Sequence, residues 1–330
     1  MNTKKTSNLI FFGTSNFSAE ILEFLFESFN ISLVVSNKDK PVGRKKLILP
    51  TPVKKKAIEL GLEVFQPGKL SDPTVENLLT SKNPEIGFIV SYGEIVPKKL
   101  IDIFPKGIVN LHFSILPKYR GATPVQFAIL NGEKVSGATL FLIDDGMDTG
   151  KVLSFFEEEI LLKDTAESFI LRLVSKIKPW IKETLKNYIL GKISPKDQAG
   201  APSFCNFDNS PQKTTLLKKE DGRIDWSKTS FFIEAMTRAF FPFPGAFTFL
   251  SGKRFQLINC DLLEKDNFNQ EETFEIDFKE NIIKPKEKFS KVLNELLAGH
   301  LKILPSVMTS DGRVLVFRRF RLEGKREFVL

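Results

Sequence analysis

The sequence predicts two domains: an α/β domain with a doubly wound, mostly parallel sheet, followed by a small OB-like β-barrel. Three observations lead to this prediction. The length of 330 residues suits two domains better than one small core. Apolar strands alternate with amphipathic helices over residues 8–150, whereas the end of the chain holds only short strand-like runs. We place the first domain at residues 1–190, a linker at 191–212 and the second domain at 213–330.

The composition is that of an ordinary globular protein with a basic surface. Apolar residues make up 42% of the chain and charged residues 27%. The formal net charge of +8 favours a polyanionic partner, although modestly basic surfaces are common without one. No run approaches the roughly 18 apolar residues of a membrane span, and no signal-peptide core follows the first lysines. Cys205 and Cys260 lack metal or redox spacing, so we expect free thiols, a cytoplasmic location and no metal.

The elements of the first domain follow from apolar periodicity. Leu9–Phe12 is an apolar strand that ends in the turn Gly13-Thr14-Ser15, and helical spacing follows from Phe17 to Phe26. Ile86–Val90 is an uninterrupted apolar run, as expected of a parallel strand covered on both faces. The single glycine of the first turn is not a G-x-G-x-x-G fingerprint, so we expect no nucleotide cofactor. Further strands are predicted at 31–35, 64–65, 108–111, 135–143 and 151–156, and further helices at 53–60, 75–79 and from 164 through 185.

Residues 38–56 form a basic segment. Its prolines and Gly43 predict mostly irregular backbone, and Leu47-Ile48-Leu49 has no core to join from a loop. A solvated surface loop is the common explanation of such a charge run. A basic loop with apolar anchors also suits an RNA end, whose phosphates attract the charges and whose unstacked bases meet side chains. The basic residues, opposed by Asp39 alone, are Lys38, Lys40, Arg44, Lys45, Lys46, Lys54, Lys55 and Lys56.

An amide, an imidazole and a carboxylate meet at the ends of two predicted strands. Asn110 and His112 are two residues apart and therefore lie on the same side of a strand. Asp148 lies in the acidic turn that follows the strand 135–143. The three suit acyl transfer to an amine, because an amide and an imidazole can stabilise an oxyanion while a carboxylate orients the ring or accepts a proton. On spacing alone, turn caps and a satisfied histidine explain the pattern more often.

The wider motifs resemble those of the folate-dependent formyltransferases, most of all the members that act on methionyl initiator tRNA. The matching strings are Asn110-Leu-His112, Ser114-Ile-Leu-Pro117, Lys118-Tyr-Arg-Gly121 and Asp145-Gly-Met-Asp148-Thr-Gly150. Phe113 stands where the family commonly has a small residue or proline, and Ser15 where it usually has proline. The basic segment is one residue shorter after Arg44 than the family form.

The resemblance implies transfer of a formyl group from 10-formyltetrahydrofolate, as co-substrate, to the α-amine of methionyl initiator tRNA by a monomeric enzyme. It implies that Asn110 and His112 stabilise the oxyanion, and that Asp148 orients His112 and accepts the proton. The implied folate contacts are Ser91, Tyr92, Gly93, Ser114, Leu116, Pro117, Asp144, Asp145 and Gly146. The implied tRNA contacts are Lys40, Arg44, Lys45 and Lys46. A formyltransferase acting on an amino sugar nucleotide would use the same three catalytic residues, and a folate- or RNA-binding module without catalysis is the alternative from another class.

The second half of the chain carries fewer signals. Residues 191–212 are rich in Pro, Gly, Ser and Asn, as a linker would be. The strings Asp221–Trp226 and Arg238–Ala246 resemble the start of the family's C-terminal domain, which the purine-pathway members lack. The resemblance implies that the second domain, 213–330, binds tRNA. Residues 261–297 are acidic and then basic, and we expect either an insertion or a strand pair there. Strands are predicted at 247–250, 254–258, 301–304 and 313–322.

Overall fold

The computed structural model describes residues 7–42, 47–208, 210, 216–268, 271–287 and 304–329. By contacts among these residues the chain divides into two compact units. The first comprises Met1–Pro124, Val135–Glu159 and Ile170–Thr215, and the second comprises Val125–Lys134, Ile160–Phe169 and Leu216–Leu330. None of the described helices is long and apolar enough to cross a membrane.

Strands and helices alternate from residue 8 onwards. In chain order they are β1 (Asn8–Gly13), α1 (Asn16–Phe26), β2 (Asn30–Val35), β3 (Lys40–Val42), β4 (Leu47–Leu49), α2 (Pro52–Glu59), β5 (Val64–Phe65), α3 (Pro73–Ser81), β6 (Ile86–Val90), α4 (Lys98–Ile101), β7 (Ile108–His112), α5 (Pro124–Leu130), β8 (Val135–Leu142), β9 (Val152–Glu159) and α6 (Ala166–Ile189).

Seven of these strands form one twisted sheet in the order β5-β2-β1-β6-β7-β8-β9. The pairs from β5 to β7 are parallel, and β8 and β9 are antiparallel. The central strands are apolar along their whole length because helices cover both faces. Every residue of β6 is buried, so the predicted strand Ile86–Val90 is confirmed to the residue. The predicted doubly wound, mostly parallel fold is thereby confirmed.

The first turn shows how the local sequence places an element. Ser15 is the N-cap of α1, and its hydroxyl accepts a hydrogen bond from the Ser18 backbone N–H at 3.2 Å. An added Cβ at Gly13 would lie 2.8 Å from the Phe11 ring and 3.1 Å from the Val90 carbonyl oxygen. Glycine is therefore needed there for β1 and β6 to approach closely, and no phosphate-binding role is required to explain it.

The described part of the basic segment is not irregular. β3 and β4 pair as an antiparallel two-stranded sheet, with Lys40 opposite Leu49 and Val42 opposite Leu47. The prediction of irregular backbone was wrong here, because Pro41 lies in a two-stranded ribbon, which has only edges and tolerates a missing N–H donor. Leu47, Ile48 and Leu49 are all exposed, Ile48 to 72%.

The last part of the chain is built on a second sheet. Its elements are a 3-10 helix (Lys219–Gly222), α7 (Ser230–Ala239), β10 (Ala246–Leu250), β11 (Lys253–Glu264), a second 3-10 helix (Lys265–Asn267), β12 (Phe274–Asp277), β13 (Ile282–Pro285), β14 (Ser306–Met308), β15 (Arg313–Leu322) and β16 (Glu327–Val329). The sheet order is β10-β11-β15-β14-β12-β13, with β16 on β15. Because β13 returns beside β10, the sheet nearly closes, and the predicted OB-like barrel is confirmed.

Two expectations for this region are settled by the described residues. The segment 261–297 begins as a continuation of β11, and its β12 and β13 form an antiparallel pair. The strand-pair alternative therefore holds for 274–285. The predicted strand at 301–304 falls mostly outside the described residues, and the neighbouring described strand is β14. The core between the strands is a stack of Phe255, Phe274, Phe317 and Phe320, with ring centroids 5.3 to 6.0 Å apart.

Candidate active site

β7 carries the first two candidate residues where the sheet changes from parallel to antiparallel. The strand pairs with β6 in parallel and with β8 in antiparallel orientation, with Asn110 opposite Phe141 and His112 opposite Thr139. Asn110 is half-buried. Within the described part of the chain its side-chain amide makes no hydrogen bond, so both of its N–H donors are open to a ligand.

His112 is held by the backbone of the loop that follows. Its ring is only 6% exposed, and Nε2 lies 2.8 Å from the Tyr119 carbonyl oxygen. A carbonyl can only accept, so Nε2 carries a hydrogen and donates it. The ring also meets Phe141 edge to face, with centroids 6.4 Å apart. These two contacts fix both the orientation and the tautomer of the imidazole.

The other ring nitrogen of His112 faces Asp148. Nδ1 lies 3.5 Å from Asp148 Oδ2, too far for a strong hydrogen bond and close enough for an ion pair. Nδ1 therefore faces the carboxylate, and the ring lies on the same side of β7 as Asn110.

Asp148 is positioned by a strained turn. Its φ is +52°, and its Oδ2 accepts the Gly121 N–H at 2.7 Å. Upstream, Asp144 Oδ1 accepts both the Gly146 N–H (3.0 Å) and the Thr149 hydroxyl (2.6 Å). An added Cβ at Gly150 would lie 1.7 Å from the Leu142 carbonyl oxygen. Only glycine fits there. The acidic turn is therefore fixed before Asp148 by the Asp144 hydrogen bonds and after it by the close approach of Gly150 to Leu142.

The loop between β7 and α5 is shaped from within. The buried Ser114 donates its hydroxyl hydrogen to the Lys118 carbonyl (2.6 Å), and Thr139 donates to the Ser114 carbonyl (2.6 Å) while accepting the Leu116 N–H (3.1 Å). The peptide between Leu116 and Pro117 is cis. Ser114, Leu116 and Pro117 are buried, so their side chains maintain the loop.

Phe113 packs against Phe17. The rings meet edge to face with centroids 5.3 Å apart, and Phe113 is buried. At this position, where the sequence departs from the family pattern, the larger side chain is thus accommodated by an aromatic residue of α1.

Residues 196–205, which we name the return segment, bind both loops of the site. Lys196 exchanges two backbone hydrogen bonds with Val152 (2.7 and 2.8 Å). The Arg120 N–H donates to the Ser203 carbonyl (2.9 Å), and the Cys205 N–H donates to the Arg120 carbonyl (2.8 Å). Composition indicated only a linker here, and no motif in this stretch drew attention to it.

Gln198 is the one side chain of the return segment that joins the two loops. Its Nε2 donates to the carbonyl oxygens of Asp148 (2.8 Å) and Gly150 (2.9 Å). Its Oε1 accepts from Arg120 Nη2 at 2.7 Å. The acidic turn and the Lys118–Gly121 stretch are therefore connected through one amide.

Tyr119 receives further support from the return segment. The Ser203 hydroxyl accepts its N–H at 2.9 Å, and the Cys205 thiol donates to its carbonyl at 3.2 Å, the same carbonyl that accepts from His112. Burial raises the pKa of the Cys205 thiol to about 12. The thiol is therefore a neutral structural donor at physiological pH.

The remaining predicted folate contacts lie at the ends of strands that neighbour the three candidates. Ser91 (φ +47°) and Gly93 (φ +85°) are exposed at the end of β6, the parallel neighbour of β7. Tyr92 between them is buried, its carbonyl accepts from Asn37 (2.7 Å), and burial raises the pKa of its phenol. Asp144, Asp145 and Gly146 are exposed at the end of β8. These positions border the carboxyl ends of the parallel strands, where open α/β sheets bind their ligands.

The predicted tRNA contacts are only partly visible. Lys40 lies in β3 with its side chain exposed. Arg44, Lys45 and Lys46 lie outside the described residues. Among the residues that the structure describes, no group of three His, Cys, Asp or Glu side chains could hold a metal ion.

Comparison with known proteins assigns most of the chain. The formyl transferase family profile matches residues 4–185, and the profile of the formyl transferase C-terminal domain matches residues 216–328. The methionyl-tRNA formyltransferase of Campylobacter lari is 36% identical over 325 residues, 97% of either chain. That of Thermodesulfovibrio yellowstonii is 40% identical over 260 residues, 78% of this chain and 82% of the relative.

The fold also recurs among solved structures. An N-formyltransferase from Helicobacter canadensis, in complex with folinic acid and dTDP-3-aminofucose, superposes with a TM-score of 0.62 over 94% of this chain and 99% of that one. The two sequences are 21% identical. At this identity the likeness concerns the fold alone.

Proposed function

The chain belongs to the methionyl-tRNA formyltransferases of the formyl transferase family, and on that premise we propose that it moves a formyl group from 10-formyltetrahydrofolate to the α-amine of methionyl initiator tRNA. The reaction serves translation initiation. The observation that carries the chemistry is the His112–Asp148 pair, 3.5 Å apart, beside an Asn110 amide with no partner among the described residues.

The trio supports formyl transfer because it places N–H groups close to where the formyl oxygen would become negatively charged. When the amine nitrogen attacks the formyl carbon, the carbonyl oxygen becomes an oxyanion. Asn110 donates an N–H to it, and the imidazole of His112 stabilises it from the same side of β7. The His112 ring is held in place before substrate binds, and such preorganisation is what makes this stabilisation effective.

Proton transfers complete the reaction. The attacking amine loses one proton, which Asp148 accepts directly or through a water molecule. The bond between the formyl carbon and N10 of the folate then breaks, and N10 takes up a proton as the carbonyl re-forms. Asp148 is suited to this role because, among the described residues, its close hydrogen bond comes from the Gly121 N–H to Oδ2, which leaves Oδ1 for the amine.

Two features support a nucleic-acid acceptor. Relatives named methionyl-tRNA formyltransferase align with this chain over as much as 97% of its length. The exposed ribbon of β3 and β4 presents Lys40 and three apolar side chains, a combination that suits phosphates and unstacked bases of an RNA end. We accordingly assign acceptor binding to the basic segment, including Arg44, Lys45 and Lys46.

An acceptor screen tests the proposal. Purified protein is incubated with labelled 10-formyltetrahydrofolate and, in separate reactions, methionyl initiator tRNA, methionyl elongator tRNA and amino sugar nucleotides. We expect rapid transfer to the initiator tRNA only. Preferential labelling of an amino sugar nucleotide would overturn the proposed acceptor, and binding of folate without transfer to any acceptor would overturn the proposed catalysis.

A further inference from the structure

The outer face of β11 and β15 carries two arginines, Arg254 and Arg321, that form no close ion pair with a carboxylate among the described residues. The register places Gln256 opposite Arg321, so these two side chains share one face of the sheet, and Arg254 shares it by alternation along β11. The opposite face carries Phe255 and Phe320 and forms the core. In the described part of the chain no carboxylate oxygen lies within 4.0 Å of the Arg254 or Arg321 guanidinium.

Neighbouring arginines behave differently. Arg319, two residues before Arg321 on the same strand, binds Glu327 at 2.6 Å, and Arg318 binds Asp261 at 2.6 Å. Charge pairing is thus the rule on β15, and Arg321 departs from it. An uncompensated guanidinium next to a second one costs free energy in the absence of an anion.

Both guanidinium groups are oriented by neutral acceptors. Arg321 Nη2 donates to Gln256 Oε1 (2.6 Å), and Arg254 Nη2 donates to the Pro244 carbonyl (3.2 Å). The Arg254 guanidinium also stacks 3.8 Å from the centroid of the Phe247 ring. Its Nε is buried without a hydrogen-bond partner. The two guanidinium groups are therefore oriented by neutral acceptors, and their positive charges can still bind an anion.

The two arginines line a cavity of about 250 Å³, together with Pro242, Pro244, Gln256 and Glu323. Gly245 makes this arrangement possible, because a Cβ there would lie 2.1 Å from Gln256 Nε2. Glu323 is the single acidic residue of the lining, and its carboxylate accepts the Arg254 backbone N–H at 3.2 Å. Two cations therefore share the cavity lining with one carboxylate, and Glu220, outside the lining, also interacts with the charge of Arg254.

We infer that this cavity binds a phosphate group of an RNA backbone, with Arg254 and Arg321 as the ligands. A planar guanidinium group can donate two parallel hydrogen bonds to two oxygens of one phosphate. The proline rings form an apolar surface against which a ribose can pack. Phe243 lies between the two prolines in sequence and is exposed, so a base can stack beside the phosphate. This inference rests on the proposed function, since the RNA would be the acceptor tRNA.

The decisive variant is Arg321→Ala, with Arg319→Ala as its matched control on the same strand. We expect Arg321→Ala to raise the Kd for methionyl initiator tRNA on the order of tenfold, the loss of one hydrogen bond to a charged group. The slope of log Kd against log salt should become shallower by about 0.7–0.9, the value of one phosphate contact. Arg319→Ala, whose charge is already paired with Glu327, should leave both quantities nearly unchanged.

Two further variants keep the test decisive if Arg321→Ala fails to fold. Arg321→Lys retains the charge without the fork and should preserve most of the salt slope. Glu323→Gln removes the carboxylate of the cavity and should tighten tRNA binding. Unchanged or weaker tRNA binding by Glu323→Gln would overturn the inference, because a phosphate in this cavity gains from losing that carboxylate.

The source of the phosphate is tested in the same binding assay with inorganic phosphate as the probe. Weak phosphate binding beside a strong Arg321 effect on tRNA supports the RNA backbone. Tight binding of inorganic phosphate without an Arg321 effect on tRNA would overturn it, as would equal effects of Arg321→Ala and Arg319→Ala. If the wild-type protein formylates methionyl initiator tRNA and Arg321→Ala binds that tRNA normally, only this inference is refuted. If the wild-type protein fails to formylate that tRNA, the proposed function is refuted.

Discussion

Replacing Gln198 by alanine tests whether the return segment controls the catalytic geometry. Gln198 touches none of the three candidate catalytic side chains. Its amide nitrogen holds the carbonyls of Asp148 and Gly150, and its amide oxygen holds Arg120. The change therefore removes two hydrogen bonds to the backbone of the Asp148 turn and one from the Arg120 guanidinium, and it leaves the side chains of the His112–Asp148 pair unaltered.

The expected magnitude follows from the burial of the partners. Three hydrogen bonds of about 1 kcal/mol each would cost about 3 kcal/mol of stability if all were lost in a dry interior. Gly150 is buried, whereas Gln198, Asp148 and Arg120 are half-buried. Water can replace part of the lost bonding, so we expect the free energy of unfolding to fall by about 1–2 kcal/mol. That loss leaves the protein folded.

The catalytic effect should be larger than the effect on stability. Asp148 has a left-handed backbone at φ +52°, which relaxes once its carbonyl is released. A displacement of about 1 Å at a reacting group costs roughly 100-fold in rate. We therefore expect kcat for formyl transfer to fall about 100-fold, while the KM values for folate and for charged tRNA change less than about threefold.

Steady-state kinetics with methionyl initiator tRNA, combined with urea unfolding, measure both quantities. Asp197→Ala is the matched control, because Asp197 is the exposed neighbour and, in the described part of the chain, forms a surface ion pair with Lys151 at 3.6 Å. Gln198→Glu keeps the acceptor for Arg120 and loses the donor, so it should be as slow as Gln198→Ala. A Gln198→Ala enzyme that retains more than half of the wild-type kcat would refute the positioning role.

Three other predictions follow from the site. Asn110→Ala, His112→Ala and Asp148→Ala should each lower turnover at least about 100-fold, as loss of one oxyanion donor does elsewhere; near-normal turnover in any of them, with unchanged thermal unfolding, would remove that residue from the mechanism. A chain that ends after Gln212 keeps the return segment and should retain folate binding with a raised KM for charged tRNA, whereas a chain that ends at residue 190 should lose turnover as well; initial rates of the two truncations separate these outcomes. Both cysteines should resist iodoacetamide at pH 8 in the native protein, because burial leaves Cys205 and Cys260 fully inaccessible and raises the pKa of Cys205 to about 12; rapid labelling of either thiol, read by mass spectrometry, would show that the region opens.

The sheet of the first unit could be predicted because its buried strands have continuous apolar sequences. β6 is apolar at every position and was found at its predicted bounds. β7 places Asn110 and His112 on one side because side chains alternate along any strand. Signals of this kind depend on local sequence alone, so no knowledge of the partner strands was needed.

Elements whose pairing is non-local were predicted less well. β11 extends to Glu264, beyond the predicted end at residue 258, because its register with β15 continues to Arg313. Its last residues, 261–263, are all partly buried and Glu264 is exposed, so they show no alternation that would indicate a strand without the partner. β3 was missed because Pro41 and Gly43 indicate a loop, and only pairing with β4 makes a strand of it.

The return segment shows why a domain boundary drawn from composition can assign residues that support the candidate active site to a linker. Its contacts with Val152 and Arg120 are mostly backbone hydrogen bonds, which any residue type can make, so they leave no pattern in the sequence. The partners are also distant along the chain, 84 residues for the bond between Tyr119 and Ser203. Proline and glycine indicate only that the stretch is neither helix nor strand. The Tyr119 carbonyl that sets the tautomer of His112 is also bound by Cys205, and the turn that carries Asp148 is held by Gln198. The stretch that composition assigns to a connector therefore orients both members of the candidate catalytic pair.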